Sequence, residues 1–199
     1  MLERTSTGSR VNPRACEHEY ACNVSTVAAE KEATVTAKLV GAIFDMWRDV
    51  DRCFEGLSEE DALKQHTGGS AFAWTLVHIA GFEDGQINVR IRGSERHPVL
   101  LDQFERFRET PGQADSWVAI QQAVADMRAE LRTYLDALTD EQLATTMAPP
   151  TRNGPEQPLQ YLLWRDIAHA YYHIGEVAAK RDQLGQRTGD YPSAWEHAF

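Results

Sequence analysis

The 199-residue chain has a mass of 22.4 kDa, a hydrophobic fraction of 42% and a charged fraction of 25%, typical of a globular domain with a substantial core. Its formal net charge of −10 at pH 7 argues against a nucleic-acid partner, because phosphate binding needs a clustered basic surface. No run approaches about 18 apolar residues and no secretory signal begins the sequence, so we expect no membrane partner and a cytoplasmic location.

Residues 1–28 are polar, and the apolar spacing typical of helices begins only beyond them. We therefore expect a flexible N-terminal extension over residues 1–28 and one helical domain over residues 29–199. The extension contains the segment CEHEYAC, which places Cys16, His18 and Cys22 close together. A zinc knuckle is the less favoured interpretation of this segment, because no second ligand pair follows at finger spacing.

The first predicted helix covers residues 34–57, where apolar residues recur at the spacing of one wide helical face. Cys53 lies on this face, and we expect it to be a buried core thiol. An odd count of three cysteines also argues against a disulfide framework. The segment SEED follows, in which Ser58 can cap a turn and Asp61 can complete a capping box.

Three further helices are predicted along the chain. The segment TGGS breaks the chain, and Ser70 is predicted to cap a second helix over residues 70–92. Residues 93–112 form a long crossover with one small helix in VLLDQFERFRET. The third and fourth helices are predicted over residues 115–138 and 159–184, separated by the loop APPTRNGPEQP. Because no run alternates as a strand would, the sequence predicts an all-α four-helix bundle with a long connection between its second and third helices.

Two histidines stand four positions apart in the fourth predicted helix, in the segment DIAHAYYHIGEVAAKR. His169 and His173 share one helix face, with Cβ atoms about 5–6 Å apart, so both imidazoles can reach one metal ion. They can equally be ordinary polar residues on a half-buried helix. The spacing alone leaves both interpretations open.

A third histidine favours the metal. His78 lies on the second predicted helix between Trp74 and Phe82, and helical spacing turns it toward the interior. A lone inward histidine is more often hydrogen-bonded to a neighbouring helix, yet bundles also build metal sites from side chains on facing helices. One nitrogen from each of the three histidines would leave a coordination position open, as in catalytic zinc sites.

These segments resemble the DinB-like superfamily of metal-binding four-helix bundles, over about residues 33–199. The marks of the resemblance are TLVHIAGFED, LTDEQL, HAYYHIGEVAAKRDQLG and GDYPSAW. The resemblance implies that His78, His169 and His173 bind one divalent metal, with zinc expected first and nickel, iron or manganese as alternatives. It also implies a homodimer as one form of the protein.

The same resemblance implies a range of functions. Characterised members include S-transferases and isomerases that use bacillithiol or mycothiol, and some metal-dependent hydrolases. We therefore expect an enzyme that transfers a low-molecular-weight thiol to an electrophilic small-molecule substrate. A metal-dependent hydrolase and a metal- or ligand-binding protein without turnover remain as alternatives.

Spacing also selects residues that can support the metal ligands. Asp166, three positions before His169, can orient the free nitrogen of that ring. Glu83 and Glu176 are alternatives for this role, and Glu83 as a fourth ligand would favour the non-catalytic protein. Tyr172 and its neighbour Tyr171 can donate to a bound substrate, although at helical spacing they can also be packing residues.

Overall fold

The computed structural model describes residues 34–66, 69–106, 116–148 and 155–198. The predicted extension, with Cys16, His18 and Cys22, lies outside these residues. Within the described ranges, no helix combines the length and the apolar character needed to cross a membrane.

Four long helices form the body of the protein, which confirms the predicted all-α bundle. They are α1 (Val35–Phe54), α3 (Phe72–Asp84), α5 (Trp117–Asp136) and α7 (Leu159–Gln183). A π-helix over Gly85–Ile91 continues α3 directly. The short helices of the described residues are α2 (Glu59–Leu63), α4 (Pro98–Arg106) and α6 (Asp140–Ala144).

The structure corrects two predictions about the elements. A two-stranded antiparallel sheet joins β1 (Thr146–Met147) to β2 (Gln157–Pro158), where no strand was predicted. Strands of two residues are too short to show the alternation that identifies a strand in a sequence. The second helix is also not one continuous α-helix, because its last seven residues adopt the wider π geometry.

The helix ends follow capping chemistry, with one exception. Ser58 accepts a hydrogen bond from the backbone N–H of Asp61 at 3.1 Å, as predicted. A complete capping box occurs at α6, where Thr139 and Gln142 bond each other's backbone. The prediction for Ser70 is wrong, because Ala71 is the N-cap residue of α3 and makes no side-chain cap bond.

The long helices surround one apolar core. Helix α7 packs against both α1 and α3, and α3 also packs against α5. Cys53 is fully buried in this core, and burial raises the pKa of its thiol to about 12. The thiol is therefore protonated at neutral pH, as expected for a structural cysteine.

Two aspartates on α1 bind the C-terminal segment. Asp45 and Asp49 are both fully buried, on a face that is otherwise apolar. Asp45 accepts the backbone N–H groups of three residues in succession, Glu196, His197 and Ala198, at 3.0–3.2 Å. Asp49 accepts the backbone N–H of Ser193 at 2.9 Å. These bonds compensate both carboxylates for the loss of water and fix the segment against α1.

Gly41 allows this segment to approach α1, because a Cβ there would collide with the carbonyl oxygen of His197. We expect Gly41→Ala to lower the free energy of unfolding by about 1–3 kcal/mol, as overpacking does. Gly175→Ala is the matched control, since a Cβ on Gly175 would meet no heavy atom within 4 Å. The free energy of unfolding of that variant should rise by about 0.5–1 kcal/mol, because alanine has the higher helix propensity. Urea unfolding measures the stability of both variants. Equal changes in stability would contradict the close approach of the C-terminal segment to Gly41.

Candidate metal centre

The three predicted histidines lie together between two packed helices. His78 is on α3, and His169 and His173 are one turn apart on α7. One nitrogen from each ring lies within 4.8 Å of the other two. The Nε2 atoms of His78 and His169 are 3.2 Å apart. Nitrogen ligands around a tetrahedral zinc ion lie about 3.3 Å apart, so the rings are close to the spacing that one cation requires.

Aromatic side chains fix the orientation of these rings. Trp74 stacks on His78 with ring centroids 5.0 Å apart and an angle of 5° between the planes. Phe82 stacks on His169 at 3.9 Å and 25°. Trp74, His78 and Phe82 are spaced by four residues on α3, so they follow one another along the same helix face. The stacked rings restrict how far the imidazoles can turn.

A second pair of side chains orients His173. The Nδ1 atom of this ring lies 3.0 Å from Oε2 of Glu176, three positions further along α7. Lys180 donates to the other carboxylate oxygen of Glu176 at 2.7 Å and to the carbonyl of Ser70 at 3.1 Å. Partial burial alone would raise the pKa of Glu176, but the bonds from Lys180 and His173 outweigh it and lower the pKa. The ionised carboxylate therefore accepts from Nδ1–H and leaves Nε2 facing the other histidines.

The electrostatic surroundings keep two of the rings neutral. Burial, followed by the charges that His173 and His78 carry when protonated, lowers the pKa of His169 to about 4. Burial and His173 also lower the pKa of His78. Neutral imidazole is the form that binds a metal ion, so the rings do not have to lose a proton at neutral pH before they bind one.

Comparisons with known proteins identify the family and support the fold. A family model described as the DinB superfamily matches residues 43–177, more than half of the chain. The chain belongs to the DinB superfamily. A solved structure titled "Crystal structure of the conserved protein of locus from Enterococcus faecalis" is 19% identical, with a TM-score of 0.57, and the match covers 77% of this chain and 99% of that one. At this identity the likeness shows the fold alone. No curated protein matches the chain.

In this DinB superfamily member, a layer of buried polar side chains crosses the bundle near His169. Glu83 on α3 accepts a hydrogen bond from the indole of Trp47 on α1, and its other oxygen lies 3.7 Å from Nε of Arg128 on α5. Asp166 on α7 is also buried. Each long helix thus contributes one side chain to this layer, which we call the polar layer (Trp47, Glu83, Arg128 and Asp166).

The polar layer changes the role predicted for Asp166. The prediction that Asp166 orients His169 is not met in the structure, since neither the Oδ2 atom of Asp166 nor the Nδ1 atom of His169 has a hydrogen-bond partner among the described residues. Burial first, and the charge of Glu83 second, raise the pKa of Asp166 well above its usual range. Burial raises the pKa of Glu83 as well, although Arg128 and the bond from Trp47 oppose that shift. Because Arg128 also pairs with Asp51 at 2.7 Å, its single charge does not compensate two further acids, and we infer that Asp166 holds a proton.

The remaining predicted residues lie in different surroundings. Glu83 belongs to the polar layer and is not part of the histidine cluster. Tyr172 is 74% exposed, with its ring edge-on to His173 at 4.9 Å between centroids. Tyr171 donates its hydroxyl proton to Asp49 at 2.9 Å, so it supports the bound C-terminal segment rather than a substrate.

Several contributors to the site were not predicted. Lys180 fixes Glu176, and Arg128 and Trp47 belong to the polar layer. The burial of Arg128 could have been predicted, because this residue follows Val124 by four positions on the apolar face of the third predicted helix. A cleft of about 1120 Å³ between α1 and α5 was also not foreseen. None of the three histidines lines this cleft.

Replacing the protonated acid of the polar layer should change how stability depends on pH. A raised pKa in the folded state means that stability from Asp166 is complete below about pH 4 and is lost as pH rises toward the raised pKa. Asp166→Asn keeps the shape of the neutral acid and cannot ionise. We therefore expect the stability of the variant, relative to the parent protein, to increase with pH when urea unfolding is measured from pH 5 to pH 9.

Asp140→Asn is the matched control for this experiment. Bonds from Thr36 lower the pKa of Asp140, so its contribution to stability is lost only as pH falls through that lowered pKa. The difference between this variant and the parent should be constant from pH 5 to pH 9. A constant difference for Asp166→Asn as well would show that Asp166 is already ionised in the folded protein.

Proposed function

We propose that His78, His169 and His173 bind one divalent cation, zinc first and nickel, iron or manganese as alternatives. The proposal is supported by three nitrogen atoms within 4.8 Å of one another and by the lowered pKa values of His78 and His169. Glu176 adds to this support, because a hydrogen-bonded carboxylate is the usual partner of the outer nitrogen of a metal-binding histidine.

We infer further that this site belongs to an enzyme, one that transfers a small thiol to an electrophilic small molecule. When bound, the cation supplies positive charge that lowers the pKa of a thiol or water molecule beside it. The chain's own contribution is to hold three imidazole rings at fixed positions. Trp74 and Phe82 cover one face of two of these rings and exclude water from it.

The single observation that supports an enzyme is the composition of the cluster. Among the described residues it contains three imidazole ligands and no carboxylate or thiolate that could complete the coordination sphere. Glu83, the residue that would have favoured a non-catalytic protein, is bonded to Trp47. Hydrolysis of a small substrate is the second candidate function, since the same open position would also admit water.

The ligand assignment predicts a loss of metal in His173→Ala. Two nitrogen ligands bind a divalent ion much more weakly than three, so we expect the purified variant to contain little metal by elemental analysis. His66→Ala is the matched control, because His66 lies outside the cluster and bonds the carbonyl of Asp61 at 3.0 Å. Full metal content in His173→Ala would refute the assignment.

Glu176 should affect metal binding through its hydrogen bond to His173. We expect Glu176→Ala to weaken metal affinity about 10–100-fold, as loss of such a carboxylate partner does. Glu176→Gln retains an acceptor for the Nδ1–H of His173, so its metal affinity should fall less. Competition with a chromophoric chelator measures both affinities. If the two variants lose equally, or neither loses any, the hydrogen bond from His173 does not support metal binding.

The reaction class can be tested with metal-loaded protein, a small thiol and a chromogenic aryl halide. Thiol transfer predicts release of halide that needs the metal, the thiol and His173 together. Turnover of a chromogenic ester without any thiol would support the hydrolase. If neither substrate turns over in protein with full metal content, the site belongs to a binding protein and the proposed enzyme is wrong.

A further inference from the structure

An exposed arginine lies one turn from the histidine cluster. Arg165 precedes His169 by four positions on α7, so the two side chains share one helix face. The guanidinium carbon of Arg165 lies 5.2 Å from the centroid of the Phe82 ring, and Phe82 stacks on His169 at 3.9 Å. Arg165 is therefore held at the edge of the site by the same ring that orients His169.

A second arginine lies on the π-helix. The π-helix packs against α7, and Arg90 is its next-to-last residue. One nitrogen of Arg90 lies 3.2 Å from the side-chain oxygen of Gln86, and another donates to the carbonyl of Ala148. Both acceptors are neutral, so they position the guanidinium without cancelling its charge. Burial and the charge of Arg165 lower the pKa of Arg90, which agrees with two like charges close together.

These two guanidinium groups have no acidic partner in the part of the chain that the structure describes. No carboxylate forms an ion pair with Arg90 or Arg165, whereas Arg48, Arg52 and Arg92 each have one. Residues 149–154, which follow Ala148 but are not described, have the sequence PPTRNG and contain no acid. Two cations that have no acidic partner among the described residues, beside a proposed site for a third, are unfavourable unless an anion joins them.

We propose that Arg90 and Arg165 bind a carboxylate of the small thiol that enters the histidine site. The inference rests on the proposed function and makes it more specific, because it assigns a carboxylate to the thiol. Guanidinium groups present paired N–H donors that match the two oxygens of a carboxylate. The two arginines orient the bound thiol and select it against neutral thiols of the same size.

The test is a binding measurement that does not depend on turnover. Zinc-loaded protein is titrated by calorimetry with 3-mercaptopropionate and, separately, with 3-mercapto-1-propanol, which has the same chain length without the carboxylate. We expect the parent protein to bind the carboxylate-bearing thiol about tenfold more tightly, as a charge-assisted hydrogen bond provides. This preference should shrink as salt concentration rises.

Arg165→Ala and Arg90→Ala should each reduce the preference to nearly onefold while zinc content stays at the parent level. Arg165→Lys keeps the charge and should retain part of the preference. Arg132→Ala is the matched control, because Arg132 is also an exposed arginine over an aromatic ring, 3.9 Å from the centroid of Phe44. It should leave the preference unchanged.

The outcomes separate this inference from the proposed function. Protein that binds no zinc, or zinc-loaded protein that binds neither thiol, contradicts the proposed function itself. Zinc-loaded protein that binds both thiols equally keeps the function and refutes the carboxylate site. A preference that survives both alanine variants also refutes it, because other groups would then recognise the carboxylate.

Discussion

The ion pair between Glu83 and Arg128 is the constraint on which the rest of the structure depends. Both side chains are buried, and removing Arg128 would leave Glu83 in the core without a nearby positive charge. Arg128 also forms an ion pair with the exposed Asp51 at 2.7 Å. The buried pair cannot form unless α3 and α5 are in one register, and Trp47 and Asp166 extend the requirement to α1 and α7. Apolar contacts tolerate sliding of helices more readily than such a layer does, so the polar layer specifies one arrangement of the bundle.

That register also brings the three histidines of the cluster together. His78 is five residues before Glu83 on α3, and His169 is three residues after Asp166 on α7. When the polar layer forms, the two helix faces carrying the histidines are brought to the same level. Local contacts then complete the arrangement, with Trp74 and Phe82 stacked on two rings and Glu176 bonded to the third.

The sequence predicted the features that depend on helical spacing, namely the long helices and the residues that share a helix face. Helical spacing identified the four long helices, and the four-residue interval identified His169 and His173 as neighbours. It could not decide between Asp166 and Glu176 as the partner of a histidine, since each is three positions from one ring. The decision comes from other helices: Glu83 and Arg128 surround Asp166, while Lys180 leaves Glu176 ionised at the surface of α7. The π-helix was also beyond prediction, because its residues have no distinctive spacing.

The π-helix affects the angle about the helix axis that separates the side chains of His78 and Arg90. Each residue of an α-helix turns the chain by about 100°, and a π turn accommodates one more residue per hydrogen-bonded ring than an α turn. Deletion of one residue between Gly85 and Arg90 would restore the narrower geometry and leave Arg90 on the same helix face, because the lost residue and the narrower turn compensate each other. If all seven residues adopted α geometry instead, Arg90 would swing around the helix axis while His78 stayed in place. A chain that lacks one of these residues could therefore hold the imidazole and the guanidinium in the same places, whereas a chain with all seven in α geometry would separate them.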